Sequence, residues 1–253
     1  MMVRDLSFYY RRSEDITLEH INFDAEPGKI MGILGNNGAG KSTLLKCLCR
    51  ILRPHHGSVN VSGTDMLKIS HKSVAKIMSF LPQETQAINL TVYDTVMMGR
   101  NPYIKLGITR EDRNIVLTVI ERMKLEPIAL RFLHELSGGE RQKVMLARSL
   151  AQNPKVMLLD EPTSNLDLKN QYEVLSLVRK ICKESNIIVI MVIHDINLAL
   201  KYCDRFLLMK NHRLFAEGGK EIMTNQTIES VYNIPVKIYT IENERFIMPI
   251  TPP

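Results

Sequence analysis

The chain has 253 residues, 45% of them hydrophobic and 24% charged, enough for one large folded unit or a core carrying an inserted subdomain. Its longest unbroken apolar run, Ile187 to Ile193, is far too short to cross a bilayer, and Met1-Met2-Val3-Arg4-Asp5 lacks the apolar segment of a signal peptide. The net charge of +6 suits an anionic ligand or surface, but the basic residues are dispersed, with only short clusters such as Arg11-Arg12, which argues against a nucleic-acid-binding stripe.

Residues 3–10 and 16–24 alternate as two antiparallel strands would. Tyr10 closes the first; its flat ring suits either a half-buried strand position or stacking on an adenine base. The apolar run Ile30 to Leu34 then leads into Gly35-Asn36-Asn37-Gly38-Ala39-Gly40-Lys41-Ser42-Thr43, a G-x-x-x-x-G-K-[ST] loop, and Leu44, Leu45 and Leu48 follow at helical spacing. Strand, glycine loop and helix form the context in which such a loop binds a nucleoside triphosphate. The glycines let successive backbone N–H groups point at phosphate oxygens, and the helix adds its positive end. Lys41 is expected to reach the β- and γ-phosphates and the Ser42 hydroxyl to ligate Mg²⁺.

Gly57 to Gly63 reads as a hairpin turn and strand, and Ile77 to Leu81 as a short strand ended by Pro82 and Gln83. His55, His56 and His71 have no ligand-spaced partners and read as surface residues. Four cysteines, Cys47, Cys49, Cys182 and Cys203, include no C-x-x-C pair and read as reduced structural thiols. From about 85 to 150 the texture is helical, as of a subdomain inserted into an α/β core. Within it, Leu136-Ser137-Gly138-Gly139-Glu140 combines a capping box, Ser137 with Glu140, and paired glycines at a helix start, a second anion-binding end.

Val156 to Leu159 reads as a buried strand delivering Asp160 and Glu161 to the carboxyl end of a sheet, where α/β ligands bind. Asp160 is expected to hold Mg²⁺ directly or through water, and Glu161 to act as general base on the attacking water. After the loop Ser164-Asn165-Leu166-Asp167, residues 168–181 form an amphipathic helix, and Ile187 to Ile193 a central parallel strand. That strand ends in His194, placed to hydrogen-bond a γ-phosphate. A Ser-His-Asp hydrolase fits poorly because no G-x-S-x-G elbow is present. Residues 205–217 read as two edge strands around Lys210-Asn211-His212, and 219–253 as a small tail ending in Pro252-Pro253.

Together these residues resemble the ATP-binding cassette ATPases from Tyr10 to about residue 220. Tyr10 matches the aromatic A-loop, 35–43 Walker A, Gln83 the Q-loop, 136–140 the LSGGE signature, 156–161 Walker B, 164–167 the D-loop and His194 the H-loop. The resemblance implies an α/β fold: a P-loop NTPase core with a mostly parallel sheet, an N-terminal antiparallel β subdomain and an inserted helical subdomain. The nucleotide-binding domain would cover 1–225, with core 1–84 and 151–225 and insert 85–150, leaving 226–253 as a small extension. It implies ATP and Mg²⁺ as ligands, with Ser42, Gln83 and Asp160 on the metal and Glu161, His194, Gln83 and Lys41 in catalysis. It also implies a head-to-tail homodimer, in which Ser137, Gly138 and Gly139 act in trans and Asp167 touches the partner.

More finely, Thr91-Val92-Tyr93-Asp94-Thr95-Val96-Met97-Met98-Gly99-Arg100-Asn101-Pro102-Tyr103 resembles the T-V-x-E-x-V-x-x-G-R-x-P-H stretch of iron-siderophore, haem and cobalamin importer ATPases. It departs at Asp94 and Tyr103, and Asn36 replaces the usual P-loop proline. The implied function is an ATPase subunit for metal-chelate import, peripheral on the inner face of the cell membrane. Its expected partners are an integral membrane permease and, indirectly, an extracytoplasmic substrate-binding protein, with no nucleic acid. An exporter, or an importer of another cargo such as an oxyanion, would carry much the same cassette. A nucleic-acid-acting cassette would usually add long coiled coils or a second cassette, and neither is present.

Overall fold

A computed structural model describes residues 1–10, 16–83, 89–242 and 244–250, so Arg11-Arg12 and Pro252-Pro253 lie outside the described residues. In chain order, β1 (Met2–Tyr9), β2 (Ile16–Asp24), β3 (Ile30–Gly35), α1 (Lys41–Leu48), β4 (His56–Val61) and β5 (Thr64–Asp65) come first. Then follow α2 (His71–Ala75), β6 (Met78–Leu81), α3 (Val92–Met97), α4 (Arg110–Arg122) and α5 (Gly138–Ala151). The alternating part resumes with β7 (Val156–Asp160), α6 (Leu168–Glu184), β8 (Ile188–Val192), α7 (Ile196–Tyr202), β9 (Arg205–Lys210) and β10 (Arg213–Gly218). The chain closes with α8 (Asn225–Tyr232), β11 (Val236–Ile241) and β12 (Glu244–Pro249).

The strands form an antiparallel sheet ordered β2-β1-β4-β5, a central sheet ordered β10-β9-β3-β8-β7-β6, and the hairpin β11-β12. In the central sheet every pairing except β9 with β10 is parallel. Every residue of β3, β7 and β8 is buried, as expected of parallel strands covered on both faces. Alternate residues of these strands serve two cores. Met31, Ile33, Leu158 and Ile190 pack with Leu44, Leu45 and Leu48 of α1 and with Val3, Leu6 and Phe23 of the antiparallel sheet. Ile30, Leu34, Leu159 and Met191 pack on the other side with α3 to α7. Helix α1 is therefore clamped between two sheets, which fixes the loop that starts it.

All four cysteines are buried and free, and burial raises their thiols, to about 12 for Cys47 and about 11 for Cys49 and Cys182. Such thiols stay protonated and unreactive near neutrality.

One expectation is corrected. Residues 205–217 are not two edge strands: β9 lies inside the sheet, parallel to β3, and only β10 is the edge. The unbroken buried run Phe206-Leu207-Leu208-Met209 is what a strand covered on both faces requires. The residues after 219 are also anchored. Ile228, Val231, Val236 and Ile247 share a core with Leu198 and Ala199 of α7.

Candidate nucleotide site

The phosphate loop leaves β3 in contorted backbone that two glycines make possible. Gly35 has φ 144°, and a Cβ there would lie 2.2 Å from the Met209 carbonyl oxygen of β9; Gly40 has φ 96°, and its Cβ would lie 2.5 Å from that of Thr17 on β2. Lys41 opens α1 only 6% exposed, and its ammonium donates to the Gly35 and Asn36 carbonyls at 2.8 and 2.9 Å. Burial holds that ammonium below the ordinary lysine range, while attraction to Glu161 and Asp160 opposes the shift.

Strand order assembles the rest. β8, β7 and β6 are neighbours, and their carboxyl ends deliver His194, Asp160-Glu161 and Gln83 side by side. Asp160, the last residue of β7, is 4% exposed and accepts the Ser42 hydroxyl at 2.8 Å. Burial raises its carboxyl above the usual carboxylate range, with the Ser42 hydrogen bond opposing. Glu161 sits at φ 50°, left-handed backbone that is costly for a side-chain-bearing residue. One carboxylate oxygen accepts the Gln83 amide at 2.6 Å, and the other is 2.5 Å from His194 Nε2. A cleft of about 610 Å³ is lined by Thr17, by Asn37, Gly38 and Gly40 to Thr43 of the loop, and by Gln83, Glu161 and His194.

Of the remaining expected residues, Tyr10 and Ala39 adjoin or belong to the loop, while the signature residues and Asp167 are not part of the cleft lining. Tyr10 lies just past β1, its ring edge-on to Phe8 at 4.9 Å and its hydroxyl 3.5 Å from Thr43 Oγ1, with 43% of the residue exposed. Ala39, within the loop, is buried. Ser137 caps α5: its hydroxyl accepts the Glu140 N–H at 3.3 Å, and the Glu140 carboxylate accepts the Ser137 N–H at 2.9 Å. Ser137, Gly138 and Gly139 do not line the cleft. A Cβ on Gly139 would lie 2.2 Å from Asn170 Oδ1, and the Asn170 amide donates to Asp167 at 3.0 Å. Asp167 also caps α6, so signature and D-loop are packed together within one chain.

Ser42, Asp160 and the amide oxygen of Gln83 are hard oxygen donors, a set that fits Mg²⁺ completed by phosphate and water oxygens. Among the described residues no group of three or more His, Cys, Asp or Glu could hold a metal. Tyr103 has a structural task. Its ring packs on the Arg100 guanidinium, 4.0 Å from the ring centre, and its hydroxyl donates to the Gln152 carbonyl at 3.1 Å. Arg100 in turn pairs with Asp112 in a buried ion pair at 3.0 Å.

Sequence reasoning missed Thr17 as a cleft wall, and Val231 and Tyr232, which touch Asn36 and Gly35. No local signal marks them, because each reaches the loop from a distant strand or helix.

Residues 18–164 match the family model described as ABC transporter. The chain is 36% identical over 245 residues to a petrobactin import ATP-binding protein of Bacillus subtilis, covering 96% of each. A structure described as a metal-chelate type ABC transporter in an inward-facing conformation superposes with a TM-score of 0.85 at 30% identity, covering 99% of this chain and 97% of that one. A dimeric ATP-binding cassette in a post-hydrolysis state, bound to ADP and Pi, superposes with a TM-score of 0.75 at 27% identity, covering 86% and 97%.

Proposed function

Because the chain belongs to the ABC transporter ATPases, we propose that it powers import of a metal chelate, an iron-siderophore in preference to cobalamin or haem, through a separate membrane permease. The observation that carries this reading is likeness along nearly the whole chain to a petrobactin import subunit and to a metal-chelate type transporter. No helix among the described residues is long and apolar enough to cross a membrane, so the proposal needs a partner that supplies the path.

In the proposed mechanism the loop N–H groups and Lys41 bind the β- and γ-phosphates, and Tyr10 stacks on the base. Ser42 and Asp160, with Gln83, would hold Mg²⁺, which supplies neutralisation of the phosphate charge. Glu161 takes a proton from the water whose oxygen attacks the γ-phosphorus, as the bond to the ADP oxygen breaks. His194 and Gln83 hold that carboxylate in place, so its position reports whether the cleft is correctly closed. The helical region 85–150, with its 91–103 stretch, would pass this closure to the permease on the inner face of the membrane.

The two phosphate-grade helix starts are best used by two copies. We propose a homodimer in which Ser137, Gly138 and Gly139 of one copy complete the cleft of the other. ATPase rate should then rise more steeply than linearly with protein concentration across the dimerisation range; a strictly linear rise would undo the dimer. For the transport role, affinity-tagged protein recovered from membranes should bring with it an integral membrane permease whose neighbouring binding protein takes iron chelates. A permease paired with an oxyanion-binding protein would replace the cargo, and RNA- or DNA-stimulated hydrolysis with a steep salt dependence would replace the transport reading.

A further inference from the structure

The last carbonyls of a helix have no partners within it and must find them elsewhere. At the end of α8 the Val231 carbonyl accepts the side-chain amide of Asn36 at 2.9 Å, and the Ser230 carbonyl accepts the Lys210 ammonium. The next residue, Tyr232, receives the Gly35 N–H on its hydroxyl at 3.1 Å. Asn233, left-handed at φ 56°, ends the helix. Two consecutive residues of the phosphate loop are thus tied to two consecutive residues of a C-terminal helix. The segment making these bonds is itself anchored. Asn197 of α7 bonds both backbone groups of Ile247 on β12, at 2.8 and 3.2 Å.

We infer that Tyr232, Val231 and Asn36 position the nucleotide site, the C-terminal segment holding the first turn of the phosphate loop in the curvature its N–H donors need. The inference rests on the reading of Gly35–Thr43 as an ATP-binding loop. A loop with glycines at φ 144°, 80° and 96° has much freedom to lose on binding, and a tether at its start removes part of that cost beforehand. Asn36 stands where the resembled ATPases usually carry proline, whose ring could not make the bond to Val231. Burial raises the Tyr232 phenol to about 12, and the Gly35 N–H it accepts opposes that rise. None of the tether's hydrogen bonds involves Glu161, His194 or Gln83, the side chains at the ends of β7, β8 and β6. Its effect therefore belongs to ATP binding and not to the hydrolytic step.

Tyr232→Phe and Asn36→Ala, made separately in the full chain, each remove one bond of the tether. The KM for ATP is expected to rise about fivefold in each, the loss of one hydrogen bond, with kcat within about twofold of the parent. The dissociation constant of MgATP, measured by equilibrium titration, should rise in step. A destabilised fold alone would lower the melting temperature of the nucleotide-free protein without this split between KM and kcat. Unchanged KM in both variants, or a fall in kcat at constant KM, overturns the inference. Should Tyr232→Phe fail to fold, Asn36→Ala on the exposed side of the loop decides alone. A parent protein that bound no MgATP would instead remove the nucleotide-site reading on which the inference stands.

Discussion

Glu161→Gln is expected to lower ATP turnover at least a hundredfold while leaving ATP affinity within a few-fold of the parent. The size follows from general-base catalysis, which typically contributes a factor of about 10² to 10⁴. The substitution is close to isosteric and keeps an oxygen toward the Gln83 amide, 2.6 Å away in the parent. Its new NH₂ would face His194 Nε2, at 2.5 Å from the parent carboxylate, and a neutral imidazole can accept there by choice of tautomer. The hydrogen-bonded cluster and the left-handed backbone at residue 161 are kept, and basicity alone is lost. Single-turnover hydrolysis with MgATP measures the step directly. Undiminished turnover would remove Glu161 from the chemistry and leave His194 or a bound water as the base.

Lys41→Ala is expected to act on the other half of the site, weakening MgATP binding by roughly ten- to a hundredfold. A charge-assisted hydrogen bond contributes about 1.5–3 kcal/mol, and this lysine is the cation buried at the root of the loop. Its loss has two further effects. The Gly35 and Asn36 carbonyls lose their donor, and Asp160 loses one of the positive charges that oppose the rise of its pKa. The nucleotide-free variant should therefore hold its proton on Asp160 to higher pH than the parent, which further disfavours binding of a metal there. Equilibrium titration with MgATP checks the prediction, and a parent-like affinity would count against the assigned role of the loop lysine.

Much of this site was legible because its pieces are local. Ile30 to Leu34, Val156 to Leu159 and Ile187 to Ile193 are apolar runs broken by glycine, by acids and by histidine. A buried strand that ends at a ligand crevice reads that way in any order of the sheet. Ser137 and Glu140 are three residues apart and cap their own helix, so the box could be read from spacing alone. What local pattern could not supply is adjacency. Gln83, Glu161 and His194 converge because β6, β7 and β8 lie side by side, and strand order is decided by crossovers that no short window contains. The misreading of β9 has the same origin. Lys210-Asn211-His212 correctly marks a hairpin to β10, but nothing near it says that the other edge of β9 pairs with β3. Tyr232 and Asn36 lie at the extreme of this problem, since their contacts join the two ends of the chain.

The placement of β3 between β8 and β9 has a consequence for how the protein is made. The antiparallel sheet draws on residues before 66, and its strands can pair as soon as they are synthesised. β3 cannot, since Ile30 pairs with Val189 and Gly32 with both Met191 and Phe206. Pairings between such distant segments pay the entropy of closing long loops before they return any contact, and they slow folding. On a nascent chain not yet extended to Ile188, the six apolar-rich residues of β3 have neither neighbour and present two open edges. During translation the strand that carries the phosphate loop thus has one edge unpaired until β8 is made and the other until β9 is made.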